Sequence, residues 1–143
     1  MKQWRTIIAI AGLGLLGMPV FGADVPNPTQ PANFPEPGTV NYIEGTAKLD
    51  GSPLTNSHVG IEKLGAGQHL TTGAGKAEIL LTPGIFLGVG SHSAVKMISP
   101  DLAQTQVALE RGRAGVEVDQ IFPQNEVQIM DDGVTTQLIK TGY

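Results

Sequence analysis

From Gly38 onward the apolar residues recur with a period of two rather than 3.6. Ile85, Leu87 and Val89 share one face of an extended run. Ala114, Val116 and Val118 alternate with Arg113, Gly115 and Glu117, and Val127 and Ile129 alternate with Glu126, Gln128 and Met130. Val134, Thr136 and Leu138 continue the rhythm after a turn. Side chains on a strand point alternately to its two faces, so each run reads as a strand with one buried side. Ile79-Leu80-Leu81 is apolar on both parities, as expected of a strand buried on both sides. The best helical candidate, Asp101 to Glu110, places Leu102, Val107 and Leu109 at spacings that fit alternation at least as well.

Turn-forming residues separate the runs: Asp50-Gly51, Gly73-Ala74-Gly75, Pro83-Gly84, Gly90-Ser91, Ser99-Pro100-Asp101, Arg111-Gly112 and Asp131-Asp132-Gly133. Their spacing of about eight to twelve residues is the rhythm of a sandwich, roll or small barrel. The pattern predicts a single all-β domain over 38–143, a β-sandwich or β-roll of about eight to ten short strands.

The N-terminus follows a different logic. Lys2 and Arg5 precede an almost unbroken apolar run from Ile7 to Phe21, and Val20 and Gly22 fit the small-residue positions of a cleavage site. Residues 1–22 are therefore expected to be a cleavable signal peptide, with Ala23 the first mature residue. The run falls short of the ~20 residues needed to span a hydrocarbon core. The expected location is periplasmic or secreted, with membrane contact only through the transient signal segment. Within this run, Gly12-Leu13-Gly14-Leu15-Leu16-Gly17 matches a dinucleotide fingerprint literally but lacks the preceding strand and the ribose-binding acid. Residues 23–37 carry Pro26, Pro28, Pro31, Pro35 and Pro37, a composition that suits an extended, solvated linker.

Charge and composition narrow the partners. Without Lys2 and Arg5, seven of the nine basic residues face thirteen acidic ones, a formal charge of −6. Such a surface repels phosphate backbones and anionic lipid heads, so nucleic acid is not an expected partner. The chain has no cysteine, which excludes thiol nucleophiles, zinc–thiolate sites, a disulfide scaffold and a lipoprotein anchor.

No catalytic constellation emerges. Gly73-Ala74-Gly75-Lys76 resembles the end of a phosphate loop, but Leu70 and Ala77 stand where glycine and Ser/Thr are needed, and a strand follows instead of a helix. A hairpin turn is the better reading. His58, His69 and His92 are far apart, form no H-x-H or H-x-x-x-H pair, and read as exposed loop residues rather than metal ligands. Asp131-Asp132-Gly133 lacks the alternating oxygens of a calcium loop and suits a hairpin turn. Glu117 and Asp119 would share a strand face, but the mature chain has too few aromatics for a sugar cleft between paired acids. Serine lacks a G-x-S-x-G elbow. The sequence thus predicts a non-enzyme with no catalytic, cofactor-binding or metal-binding residues. Arg111 and Arg113, flanking Gly112, form a basic pair suited either to salt bridges with Glu110 or Glu117 or to partner recognition. Met97 and Met130 read as core filling.

Three segments carry a resemblance: Gly38 to Gly51 (GTVNYIEGTAKLDG), Gly67 to Met97 (GQHLTTGAGKAEILLTPGIFLGVGSHSAVKM) and Val107 to Val118 (VALERGRAGVEV). The first reads as strand, Glu-Gly turn and strand; the second as a threonine turn followed by apolar strands around Pro-Gly; the third as strand, Arg-Gly-Arg turn and strand. In this order they resemble the FecR domain, named for the ferric-citrate regulator, over Gly38 to Tyr143. The resemblance implies a β-rich extracytoplasmic module that senses or docks to partner proteins, with no catalytic residues to carry over. Regulators of that family place a long segment before the apolar run, whereas Met1 to Thr6 alone stand there in this sequence. A sigma-factor contact therefore has no visible carrier. The last residues, Lys140 to Tyr143, follow directly on a strand-like run where members of that family continue with more β-structure, so the resemblance implies a domain truncated at the C-terminus, which would leave an edge strand unpaired.

The leading functional expectation is an exported FecR-like envelope module that binds an envelope protein or ligand, with cell-surface signalling as one setting. The alternative is a structural envelope or extracellular-matrix protein without a signalling role. An enzyme acting on glycans or peptides is the least supported, because no nucleophile, base and oxyanion donors assemble.

Overall fold

The computed structural model describes residues 35–143; the expected signal peptide and most of the proline-rich stretch lie outside them. Nine strands follow in order: β1 Val40–Leu49, β2 Ser52–Leu54, β3 His69–Thr82, β4 Ile85–Val89, β5 Ala94–Pro100, β6 Gln104–Arg111, β7 Ala114–Val118, β8 Glu126–Asp131 and β9 Val134–Gln137. A single turn of 3-10 helix, Asn56–His58, is the only helical element among the described residues. None of their helices is long and apolar enough to cross a membrane. The all-β reading holds.

The strands form one sheet in the order β2-β1-β3-β5-β6-β8-β9, with β4 branching from β3 and β7 pairing β4. All pairs are antiparallel except β6 with β8. The branch exists because β3 changes partner along its length. His69, Leu70 and Thr71 pair with β5, whereas Ala77 to Thr82 pair with β4.

Between those halves β3 changes phase. Leu70 and Thr72 are buried before the switch, and Ala77, Ile79 and Leu81 after it, so the inward parity moves from even to odd. The change occurs at Gly75, which pairs with Gly45 of β1 beside a bulge. Both glycines have positive φ, 142° and 70°, and their backbones approach so closely that a Cβ on either would overlap a carbonyl of the other strand. Bulges of this kind bend a strand and let it serve two parts of a sheet. Gly73-Ala74-Gly75 is therefore not a hairpin turn, and Glu44-Gly45 is not a turn either; both lie within long strands. A single core then fills the fold, with Ile79, Ile85, Leu87 and Val118 from one arm and Leu70, Val95, Met97, Val107 and Val127 from the other.

Elsewhere the turn chemistry acts as expected. Asp50 and Gly51 both have positive φ, as do Asp132 and Gly133, which is the type I′ geometry that matches strand twist in two-residue hairpins. Pro83-Gly84 connects β3 to β4, with glycine at the positive φ that a type II turn demands. Leu80, on the off-parity of β3, is buried along with Ile79 and Leu81, in keeping with a strand covered on both sides. Two expectations fail near the C-terminus. Met130 is only half-buried and lies outside the core, and every residue of β9 is exposed, including Val134. The β8–β9 hairpin alternates correctly but runs beyond the layer that could cover it.

Candidate functional site

The outer face of β1, β3, β4 and β7 carries a concavity built across four strands. Strand register brings four residues into one row across that face: Tyr42 opposite Glu78, Glu78 opposite Gly88, and Gly88 opposite Gly115. Their inward neighbours Ala77, Val89, Ala114 and Val116 face the core, so this parity must face outward. Two adjacent glycines leave the row without side chains over β4 and β7.

Neither glycine is required by the backbone. Both have ordinary φ; a Cβ at Gly115 would meet nothing within 4 Å, and one at Gly88 only the Gly115 carbonyl oxygen at 3.7 Å. Glycine inside a strand lowers stability by roughly 0.5–1 kcal/mol relative to alanine. What the two residues provide is space. The trough above them has a volume of about 580 Å³. A second hollow of about 260 Å³ shares Glu78, Gly88 and Gly115 and extends it towards Phe86, Glu117 and Tyr143. Volumes of this order hold small ligands or single segments of a partner chain.

The walls are polar and charged. On the β1–β3 side the Tyr42 hydroxyl donates to Glu44 Oε2 at 2.7 Å, Lys76 Nζ lies 3.3 Å from the same oxygen, and the ammonium sits 5.6 Å from the Tyr42 ring centroid. Asn41 donates its side-chain amide to Glu78 Oε1. The opposite rim is Arg113, whose stem packs over Gly90; a Cβ there would come within 2.8 Å of Arg113 Cγ. Among the described residues no carboxylate lies within 4.0 Å of the Arg113 or Arg111 guanidinium. The expected bridges to Glu110 or Glu117 are not formed, and of the two arginines it is Arg113 that lines the trough.

These contacts shift the titrations in a linked way. The Tyr42 phenol is pushed above its usual value, first by its hydrogen bond to Glu44, which accepts from the neutral form, and then by burial and the carboxylate's charge. Glu44 is held below the usual carboxylate range, chiefly by that same hydroxyl and then by Lys76. A carboxylate with a lowered folded-state pKa stabilises the fold above its unfolded pKa, and that contribution is lost as pH falls through the folded value. Glu44→Gln should therefore move Tyr42 ionisation to lower pH, read from its ring resonances in an NMR titration. An unmoved midpoint would show that the Tyr42–Glu44 bond does not persist in solution.

The remaining candidates are dispersed. His69 is not a loop residue: it opens β3, 3.5 Å from Asp50 and 3.4 Å from Glu110. Its backbone N–H is the main cause of the lowered Asp50 pKa. His58 closes the 3-10 turn, where its Nδ1 accepts the Thr55 N–H at 2.9 Å, and His92 sits exposed in the β4–β5 turn. Among the described residues no three His, Asp or Glu side chains converge in a manner that could hold a metal ion. Glu117 borders the smaller hollow, and Asp119 lies just past β7, its N–H bonded to the Gly84 carbonyl. Sequence reasoning did not single out Tyr42, Glu78, Gly88 or Gly115. The available signal was glycine at the outward parity of two apolar runs, Leu87-Gly88-Val89 and Ala114-Gly115-Val116.

Comparison of the chain with family models, with curated proteins and with solved structures gave no match.

Proposed function

We propose that this chain is an exported, FecR-like envelope module that binds a partner protein or ligand and performs no catalysis. The observation that carries the reading is the trough floored by Gly88 and Gly115. Two residues that the fold does not require as glycine keep open a volume lined by Tyr42, Lys76, Glu78 and Arg113. The apolar run from Ile7 to Phe21 behind Lys2 and Arg5, which suits an export signal, supports the envelope setting.

The test uses the same glycine. Gly115→Val raises a β-branched side chain from the floor of the trough, and its Cβ meets nothing within 4 Å. It should raise stability by roughly 0.5–1 kcal/mol. In cells, a photo-crosslinker at position 42 of the tagged full-length chain should capture one envelope species at near-equal amount. The same species should be lost from the Gly115→Val variant although its melting temperature is unchanged or higher. Equal capture by both forms would remove the trough from the proposal. A second reading, a structural envelope protein, is supported by a different observation. β9 is exposed on both faces, and the run Val134 to Ile139 carries no charge, which favours lateral association of copies.

A further inference from the structure

The basic end of the trough is a second row of outward residues, one step along the strands from Tyr42 and Glu78. Glu44 pairs with Lys76, and the register of Ala77 with Val89 and of Val89 with Ala114 carries that row on to Gly90 and Arg113. The Gly90 N–H donates to the Arg113 carbonyl at 2.9 Å, and the Arg113 N–H donates to Ser93 Oγ at 3.0 Å. Gly90, like Gly88 and Gly115, has an ordinary φ. Its missing side chain is what seats the arginine. A Cβ at Gly90 would stand 2.8 Å from Arg113 Cγ and 3.0 Å from Nε. The Arg113 stem therefore lies over β4 as far as Nε, on a backbone held by two hydrogen bonds.

Four charged groups stand in these two rows, Glu44 and Glu78 against Lys76 and Arg113, and their formal charges cancel. Lys76 is engaged by Glu44 at 3.3 Å and by the Tyr42 ring. Arg113 and Glu78 are not matched in this way. Among the described residues no carboxylate lies within 4.0 Å of the guanidinium and no cation within 4.0 Å of Glu78, which accepts the Asn41 amide. The two residues are two strands across and two positions along from each other, about 12 Å between Cα atoms at ordinary sheet spacings. Gly88, Gly90 and Gly115 leave the floor between them bare.

We infer that the trough takes a small zwitterion, a free amino acid or a short peptide, with its carboxylate on Arg113 and its protonated amine on Glu78. This deepens the reading of the trough as a binding site and rests on it. A guanidinium fork pairs with a planar carboxylate through two parallel hydrogen bonds. A phosphate fits the same fork but would bring further negative charge beside Glu44 and Glu78. A zwitterion leaves the charge of the face unchanged and answers both groups at once. Its side chain lies over Gly88 and Gly115, where the floor carries none.

The probes are leucine, Gly-Leu and Gly-Gly-Leu, titrated into the full chain and read by NMR chemical shift. Each added residue lengthens the dipole by up to ~3.6 Å, so the series measures the span between the two charged seats. Shifts should appear at the Gly88 and Gly115 amides and at Arg113 Nε. For the tightest probe, acetylating the amine or amidating the carboxylate should each weaken binding about tenfold, the loss of one charge-assisted contact. Arg113→Gln should bring the free probe level with its amide, and Glu78→Gln should bring it level with its acetylated form. Gly90→Ala keeps every charge but displaces the Arg113 stem, so it should weaken the free probe and leave the amide unaffected.

Tightest binding of leucine would assign the site to free amino acids, and tightest binding of Gly-Leu or Gly-Gly-Leu to short peptides; either supports the proposal. Acetylated and amidated probes that bind as well as the free one would overturn it, because the ends would then not be what is recognised. No shift with any of the three would also overturn it. The trough itself would not fall with that result, since loss of crosslinked capture in Gly115→Val decides it separately.

Discussion

Gly75→Val should cost about 4 kcal/mol, read as a loss of melting temperature and of denaturant midpoint. Two terms add. At φ 142° a residue with a side chain sits in a sparsely populated region, which costs on the order of 1–3 kcal/mol. Its Cβ would also be driven into the Glu44 carbonyl and lie 2.8 Å from Gly45 Cα, so the strands must part, and overpacking of this kind costs roughly 1–3 kcal/mol more. Domains of this size are stable by about 5–15 kcal/mol in total. Gly51→Ala separates the terms: φ is also positive, 85°, but nothing lies within 4 Å, so the loss there should be the conformational one alone. If Gly75→Val and Gly51→Ala destabilise equally, the close approach of β1 and β3 at Gly45 and Gly75 is not a constraint. The contrast with Gly115→Val is the more instructive one. Both residues are strand glycines, yet one substitution should break the bend of the sheet and the other should stabilise the strand.

That contrast also marks where the sequence stops being legible. Alternation identified the strands around Ile85, Ala114, Val127 and Val134, because a half-buried strand writes its period directly into the chain. Asp50-Gly51, Pro83-Gly84 and Asp132-Gly133 were readable as turns because two-residue connections demand positive φ at fixed places. The same chemistry misled at Glu44-Gly45 and Gly73-Ala74-Gly75. A glycine needed for a bulge looks locally identical to one needed for a turn, and what distinguishes them is a partner thirty residues away, Gly45 against Gly75. The trough was illegible for a related reason. Tyr42, Glu78, Gly88 and Gly115 become neighbours only through the register of three strand pairs, and no local spacing encodes that row. His69 was misplaced because its polar neighbours suggested a loop, whereas β3 begins there and pairs His69 with Lys96. Val134 shows the converse error, since a correct period does not guarantee a layer to bury it, whereas Met130 was placed in the core against its own parity.

Thr72→Val should destabilise by about 2–4 kcal/mol although the two side chains have nearly the same shape. Thr72 is buried, and its hydroxyl donates to the Gly90 carbonyl and accepts the Ser93 N–H at 3.0 Å. Ser93, fully buried, accepts the Arg113 N–H at its Oγ, also at 3.0 Å, and donates to the Ser91 carbonyl. The Thr72 N–H in turn donates to the Ser93 carbonyl, and the Gly90 N–H to the Arg113 carbonyl. Two hydroxyls thus tie β3, the β4–β5 turn and the β6–β7 corner into one network, and no buried side-chain polar atom among the described residues is left without a partner. Valine at position 72 would strand the buried Ser93 N–H and take its donor from the half-buried Gly90 carbonyl, and an unsatisfied buried group costs about 1–3 kcal/mol. The corner accepts no substitute at Gly112, where φ is +84° and a Cβ would stand 2.8 Å from Ser93 Cα. Ser93→Ala breaks the same network from its other end, so the double variant should lose less than the sum of the two single losses. Additive losses in a double-mutant cycle would show that the two hydroxyls act independently. The network is also what holds Arg113 and the start of β7 beside the trough. In Thr72→Val, amide exchange at Arg113 should therefore rise before that of the core strands, loosening the rim of the trough ahead of the fold itself.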